Sequence, residues 1–162
     1  LMHSEARIDT VMGPVPLTTL IQERMAELAP LAAENRIELE FYSHDEVWIT
    51  GVRERLMSLI DNLIENAVKY SPDGGRVEVE VRSLAKSTQL RISDAGPGIR
   101  AELRERVFDR FFRDPNQIQS GSGLGLAIVK AVAQQHNSTV FLSTSAEGGL
   151  MVIVDIPNQN AI

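Results

Sequence analysis

Apolar and polar positions along the chain repeat with two periods, which divide it into predicted helices and strands. Apolar residues recur at helical spacing in three segments, residues 16–35, 52–70 and about 124–136. A bend is expected in the first helix at Pro30. Alternation of apolar and polar residues predicts strands over residues 36–42, 46–50, 76–84, 89–94, 139–145 and 150–157.

The order of these elements predicts an α/β (α+β) two-layer sandwich, an antiparallel or mixed sheet with helices on one face. Residues 36–42 and 46–50 are expected to form a hairpin-like pair, and "AKST" is expected to turn the next two strands into a hairpin. Residues 95–122 lack periodicity apart from a short charged helix predicted around residues 101–106. A long segment of this kind in a compact domain is typically a functional lid or a linker.

Composition narrows the class of protein. A length of 162 residues fits one domain, and no apolar run reaches the roughly 18 residues that a membrane span requires. The net charge of -6 argues against nucleic acid as a partner. Zero cysteines exclude disulfides and thiolate metal sites, and the start "LMHSEARID" has no signal-peptide pattern.

A glycine-rich stretch, "SGSGLGLAIVK", leads into the third predicted helix with glycines at Gly121, Gly123 and Gly125. It lacks the lysine and spacing of a P-loop, and its GxGxG spacing after polar residues does not fit the dinucleotide fingerprint. Free N–H groups at a helix start still form an anion site where glycines allow close approach. The alternative is close packing between helices.

A second stretch, "ISDAGPGI", places Asp94 at the end of a predicted strand, followed by Gly96 and Gly98. The carboxylate could accept a hydrogen bond from an exocyclic amine while the glycines let a flat base approach the backbone. The alternative is a simple Asx-type turn.

A third stretch, "DNLIENAVKYS", carries two amides and an ammonium, Asn62, Asn66 and Lys69, along one edge of the buried stripe of the second helix. Asparagine is a mediocre helix former, so the pair calls for a reason beyond helix propensity. An amide oxygen is a suitable ligand for Mg²⁺ that shares its shell with substrate phosphates. The alternative is a solvated helix edge with Asn66 satisfied by the backbone.

A fourth stretch, "VFDRFFRDP", has phenylalanines that could anchor a mobile lid, while Arg110 and Arg113 face a triphosphate. The alternative for Phe108, Phe111 and Phe112 is a small satellite hydrophobic cluster.

Together and in this order, "NLIENAVKYSPDGG", "DAGPGI", "FDRFFRD" and "GSGLGLAIVK" resemble the N, G1, F and G2 boxes of one family. That family is the ATP-binding catalytic domain of bacterial sensor histidine kinases, a branch of the GHKL ATPase superfamily. The resemblance implies the Bergerat fold, a mixed sheet of about five strands covered by three helices. It implies a catalytic domain over residues 16–157 with a lid at 107–122, after an N-terminal remnant or linker, 1–15, and before a C-terminal tail, 158–162.

The resemblance also implies roles for individual residues. Asp94 should bind the adenine amino group, and Tyr70 should pack near the adenine or ribose. Asn66 should carry Mg²⁺, and Lys69 should contact phosphates; with Arg113 these are the implied catalytic residues. The implied ATP-binding residues are Asn62, Asn66, Lys69, Tyr70, Asp94, Gly96, Gly98, Ile99, Phe108, Gly121, Gly123, Leu124, Gly125 and Leu126.

One position bears on the reaction. Hydrolysing members of the superfamily carry a glutamate where this chain has Asn62, and an amide cannot act as a general base. Phosphoryl transfer, which depends on positioning and charge stabilisation, therefore fits better than hydrolysis. The resemblance implies a protein histidine kinase with ATP and Mg²⁺ as cofactors. Alternatives are a regulatory nucleotide-binding module and a related serine kinase of a regulatory partner.

The chain has three histidines, His3, His44 and His136, and none lies in a His-Glu-x-x-Thr-Pro motif. They are interpreted as structural or incidental, although a cation would suit the helix end at His136. The phosphoacceptor is thus expected on a separate dimerisation domain, with a response regulator as the further partner. The resemblance implies the cytoplasmic portion of a sensor kinase anchored in the inner membrane.

Overall fold

A computed structural model describes residues 11–43, 45–96, 102 and 125–158. Within these residues the chain forms three helices and seven strands. Their order is β1 Gly13–Pro16, α1 Leu17–Glu34, β2 Glu38–Tyr42, β3 Trp48–Gly51, α2 Arg53–Tyr70, β4 Arg76–Ser83, β5 Ser87–Ser93, α3 Gly125–Gln135, β6 Thr139–Thr144 and β7 Leu150–Pro157.

Five of the strands form one mixed sheet in the order β2-β4-β5-β7-β6. Strand β2 runs parallel to β4, and the other neighbours are antiparallel. Alternate residues of β4, β5 and β7 are buried, as expected for a sheet with helices packed on one face only. The two-layer sandwich with a mixed five-stranded sheet is therefore confirmed.

The predicted pairing of residues 36–42 with 46–50 is wrong. Strand β3 instead pairs antiparallel with β1, with Gly13 opposite Gly51, in a separate two-stranded ribbon. Strand β2 pairs with β4, and α2 lies in the connection between these parallel strands, as such a crossover requires. Val15 and Ile49 of this ribbon are part of the hydrophobic core.

The other predicted elements agree closely with the structure. Strands β4 and β5 form the predicted hairpin, closed by the Leu84 N–H donating to Ser87 O at 2.8 Å. Pro30 lies inside α1, which continues to Glu34. The short helix predicted around residues 101–106 and the lid at 107–122 fall outside the described residues, apart from Glu102. No helix in the described part of the chain has the length and apolar character to cross a membrane.

Helix α2 lies at the centre of the helical layer. The predicted buried stripe of this helix, Leu56, Ile60, Leu63 and Ala67, is buried in the structure. Leu59, Ile64 and Val68 are buried as well. Ser71 follows in an extended conformation, as expected before Pro72. A bidentate ion pair joins α1 to α2, with Arg24 Nε and Nη2 at 2.8 and 3.0 Å from the carboxylate oxygens of Asp61. Because Asp61 directly precedes Asn62, this pair fixes α2 at the first asparagine of the predicted site.

Candidate functional site

The two amides of α2 face the start of α3. The Asn62 Nδ2 group donates to Ser58 O at 2.7 Å, which orients the amide and leaves its oxygen for other contacts. A Cβ placed on Gly125 would lie 3.6 Å from Asn62 Oδ1 and 3.8 Å from Asn66 Oδ1. The first turn of α3, with its free N–H groups, therefore lies against two amide oxygens.

The hydrogen bonds of the two asparagines differ. Asn62 is satisfied by the backbone through its NH₂ group, as the alternative interpretation expected for Asn66. For Asn66, the described residues provide no hydrogen-bond partner, and its side chain is only partly buried. Within the described part of the chain, its oxygen is thus open to a ligand between α2 and α3.

Asp94 lies directly after β5 and is 7% exposed. Its Oδ1 accepts hydrogen bonds from Gly96 N at 2.9 Å and from Leu150 N at 3.1 Å. The bond from Gly96 is the Asx-type turn that formed the alternative interpretation. Within the described residues no donor reaches Oδ2, so this oxygen can still accept a hydrogen bond although Oδ1 takes part in the turn.

Burial raises the pKa of Asp94, and the two backbone hydrogen bonds from Leu150 and Gly96 lower it by less. The buried carboxylate has lost hydration and has no positively charged partner among the described residues. An outside donor, such as an amine, would regain part of the lost interaction. Perturbed carboxyl groups of this kind concentrate at functional sites.

The Asp94 segment and the asparagine edge form one continuous line. A Cβ on Gly96 would overlap Tyr70 O, so the chain after β5 passes directly against the end of α2. Asn66 lies about 6 Å, or one helical turn, before Tyr70, and Asn62 lies about 12 Å before it. Gly96 therefore permits a close approach that a residue with a side chain would prevent.

The structure brings six of the predicted site residues together in this line, and they are Asn62, Asn66, Tyr70, Asp94, Gly96 and Gly125. Lys69 is exposed on the last turn of α2, next to them. Leu126 is buried in the core, so its side chain packs between helix and sheet. Predicted residues outside the described part of the chain are Gly98, Ile99, Phe108, Arg113, Gly121, Gly123 and Leu124.

Sequence reasoning predicts a turn at "AEGG" between β6 and β7 but missed that this turn contacts and holds Asp94. The Ser145 hydroxyl donates to Asp94 O at 2.8 Å, and a Cβ on Gly149 would overlap the same carbonyl. The only signal in the sequence is a serine four residues before the second of two glycines in "SAEGG". Such a turn is common, and nothing in it indicates which strand end it contacts.

His136 is a structural residue. It is 7% exposed, its Nε2 accepts from Val52 N at 3.0 Å, and its Nδ1 lies 2.8 Å from Val132 O. These bonds fit a neutral ring with the proton on Nδ1, rather than the cation that would suit a helix end. Because both ring nitrogens are engaged, the ring joins the end of α3 to the start of α2. His3 and His44 lie outside the described residues.

The described residues contain no group of three acidic or histidine side chains able to hold a metal ion. The amide oxygen of Asn66 is the hard oxygen donor that Mg²⁺ accepts when phosphates and water complete its shell. The donor chemistry at the junction of α2 and α3 therefore fits a magnesium ion that arrives with a phosphate ligand.

In addition to the fold and the arrangement of polar groups between α2 and α3, comparison with known proteins identifies the family. Residues 51–160 match the family described as histidine kinase-, DNA gyrase B- and HSP90-like ATPase. The chain belongs to this family.

Its relatives are sensor kinases. The chain is 39% identical over 146 residues to the sensor protein kinase PmrB of Pseudomonas aeruginosa, covering 89% of the chain and 30% of that protein. It is 30% identical over 159 residues to the signal transduction histidine-protein kinase BaeS of Escherichia coli, covering 96% and 34%. The solved mycobacterial sensor histidine kinase MprB superposes with a TM-score of 0.79 at 31% identity, covering 91% of this chain and 97% of that structure.

The chain thus spans about a third of the length of these curated relatives. It is an ATPase domain of the sensor histidine kinase type.

Proposed function

We propose that this domain binds Mg-ATP and transfers the γ-phosphoryl group to a histidine on a separate dimerisation domain. The observation that carries the proposal is the pair of amide oxygens, Asn62 Oδ1 and Asn66 Oδ1, that face Gly125 at the start of α3. Triphosphate and Mg²⁺ bind at this junction, where Asn66 holds the metal. Lys69 and the glycines before α3 contact the phosphates.

The adenine binds at the other end of the line. Oδ2 of Asp94 accepts a hydrogen bond from the exocyclic amine, while Gly96 lets the flat base approach the backbone. Tyr70 packs near the adenine or ribose. Bound Mg²⁺ supplies charge neutralisation on the transferring phosphoryl group.

Transfer rather than hydrolysis is supported by two features of the described residues. Asn62 occupies the place from which a general base would activate water, and its NH₂ group is committed to Ser58 O. His136 is buried with both ring nitrogens bonded, which makes it unsuitable as an acceptor. In the reaction, a partner's histidine nitrogen bonds to the γ-phosphorus as its bond to the bridging oxygen breaks, and ADP leaves.

The other parts of the proposal concern the longer protein. A response regulator then receives the phosphoryl group from the dimerisation domain. The domain works on the cytoplasmic side of a sensor kinase anchored in the inner membrane.

The test mixes the domain with the dimerisation domain of the same kinase and γ-labelled ATP. Acid-labile, base-stable label on the partner is the expected result. Acid-stable label would mean a serine kinase, and bound ATP without transfer would mean a regulatory module; either outcome overturns the proposal. Asn66→Ala should abolish labelling, whereas Glu65→Ala, an exposed position on the same helix, should leave it unchanged.

A further inference from the structure

The hydrogen bonds at the end of β5 depart from the regular ladder. In the register of β5 and β7, Asp94 stands opposite Leu150, and such a pair normally exchanges two backbone hydrogen bonds. One of them is present, with Asp94 N donating to Leu150 O at 2.9 Å. The second bond, from Leu150 N to Asp94 O, is replaced, because Leu150 N donates to Asp94 Oδ1 at 3.1 Å. The carboxylate has thus taken the place of its own carbonyl.

The displaced carbonyl is satisfied by Ser145. The hydroxyl of this buried serine donates to Asp94 O at 2.8 Å. A hydroxyl has one proton to donate, so this bond commits it fully. Without the hydroxyl, a buried carbonyl would lose its partner and would compete with Oδ1 for the N–H of Leu150.

Ser145 itself is held firmly by its own turn. Its hydroxyl accepts from Gly149 N at 2.8 Å, its N–H donates to Gly149 O at 2.8 Å, and its carbonyl accepts from Gly148 N at 3.0 Å. Gly148 has a positive φ of 89°, which glycine adopts without strain. The turn is therefore a rigid platform for the serine hydroxyl.

The same turn restricts the carboxylate from a second side. A Cβ on Gly149 would overlap Asp94 O and lie 2.6 Å from Oδ1. Asp94 is consequently enclosed between Gly149, the N–H of Leu150 and the Asx turn to Gly96. Oδ2 is the one oxygen of Asp94 that has no contact with these groups.

We infer that Ser145 is a positioning residue for base selection. It acts by holding Asp94 in the orientation that accepts a hydrogen bond from an exocyclic amine. The inference rests on the proposed function. Adenine presents an amine to this acceptor, and guanine presents a carbonyl oxygen that the carboxylate repels. The serine does not touch the nucleotide; it fixes the rotamer of the residue that does.

The test compares affinities for ATP and GTP by calorimetry. Ser145→Ala should weaken ATP binding about 3- to 10-fold, the worth of one hydrogen bond, with little change for GTP. The ATP-to-GTP preference should therefore fall by the same factor. Ser145→Thr keeps the hydroxyl and should restore the preference. Ser143→Ala removes a hydroxyl from β6, two residues before Ser145, that has no hydrogen bond within the described residues, and should change nothing.

Gly149→Ala provides a second approach, since its Cβ would overlap Asp94 O and displace Asp94 while the Ser145 hydroxyl group is kept, and it should also lower the preference. A purely structural role for Ser145 would lower the melting temperature and weaken both nucleotides equally, and that result overturns the inference. If the unchanged domain showed no preference for ATP, or if Asp94→Asn kept it, the proposed function would fail instead. A preference lost in Asp94→Asn and intact in Ser145→Ala would overturn only the inference.

Discussion

Replacing Asp94 by asparagine separates the stability of the site from its function. The amide oxygen can accept the same two hydrogen bonds, from Gly96 N and Leu150 N, that Oδ1 accepts now. The amide NH₂ then occupies the place of Oδ2, to which no described residue donates. Fold and turn should therefore be retained, while an adenine amine would meet a donor instead of an acceptor.

The magnitude for binding follows from the kind of hydrogen bond that is lost. A hydrogen bond to a charged acceptor is worth about 1.5–3 kcal/mol, so ATP affinity should fall about 10- to 150-fold. Calorimetry with ATP and Mg²⁺ measures this directly. Undiminished affinity in Asp94→Asn would refute the contact with adenine.

The free energy of unfolding should change in the opposite direction to ATP affinity when Asp94 is replaced by asparagine. Burial raises the pKa of folded Asp94, so the folded state binds more protons than the unfolded state between the ordinary and the raised pKa. The free energy of unfolding then falls as pH rises through this interval, and the loss is complete above the raised pKa. Asp94→Asn removes the cost. The variant should be at least as stable as the unchanged domain at neutral pH, with the difference shrinking in acid; lower stability at neutral pH in urea titrations would contradict the argument.

Three further predictions concern other residues. Asn66→Ala should reduce the dependence of ATP affinity on Mg²⁺, and calorimetry with and without the ion should show no such change in Glu65→Ala; an unchanged dependence in Asn66→Ala argues against metal ligation. His136→Leu leaves the buried N–H of Val52 without its acceptor and should cost about 1–3 kcal/mol in urea denaturation, so equal stability would show that the bond contributes nothing. The buried Ser71 hydroxyl has no partner in the described part of the chain, so Ser71→Ala should raise the melting temperature by about 2–4 °C, and a lower temperature would contradict the assignment.

Local pattern predicted most elements because burial on one face imposes a period that the sequence must carry. The α2 stripe and the alternation of β4, β5 and β7 follow directly from this rule. The polar edge of α2 was visible for the same reason, since asparagines beside a buried stripe contradict helix propensity.

Pairing between strands could not be read in the same way. Strand β1 contains Pro14 and Pro16, which lack the backbone N–H group of a regular strand. An argument from strand propensity therefore does not identify β1. The choice of β1 rather than β2 as the partner of β3 depends on the path of the chain through α1 and α2. Likewise, the contact of Ser145 with Asp94 joins residues 51 positions apart, and no short-range pattern encodes it.

Strand β7 is the last described strand in the chain, yet it lies between β5 and β6 in the interior of the sheet. During synthesis, β5 therefore waits with an open edge until residues 150–157 leave the ribosome, and Asp94 meets Leu150 only then. A nascent chain that stops short of β7 should therefore lack the Leu150 hydrogen bond that holds Asp94, so the acceptor proposed for the base forms only after β7 has been made.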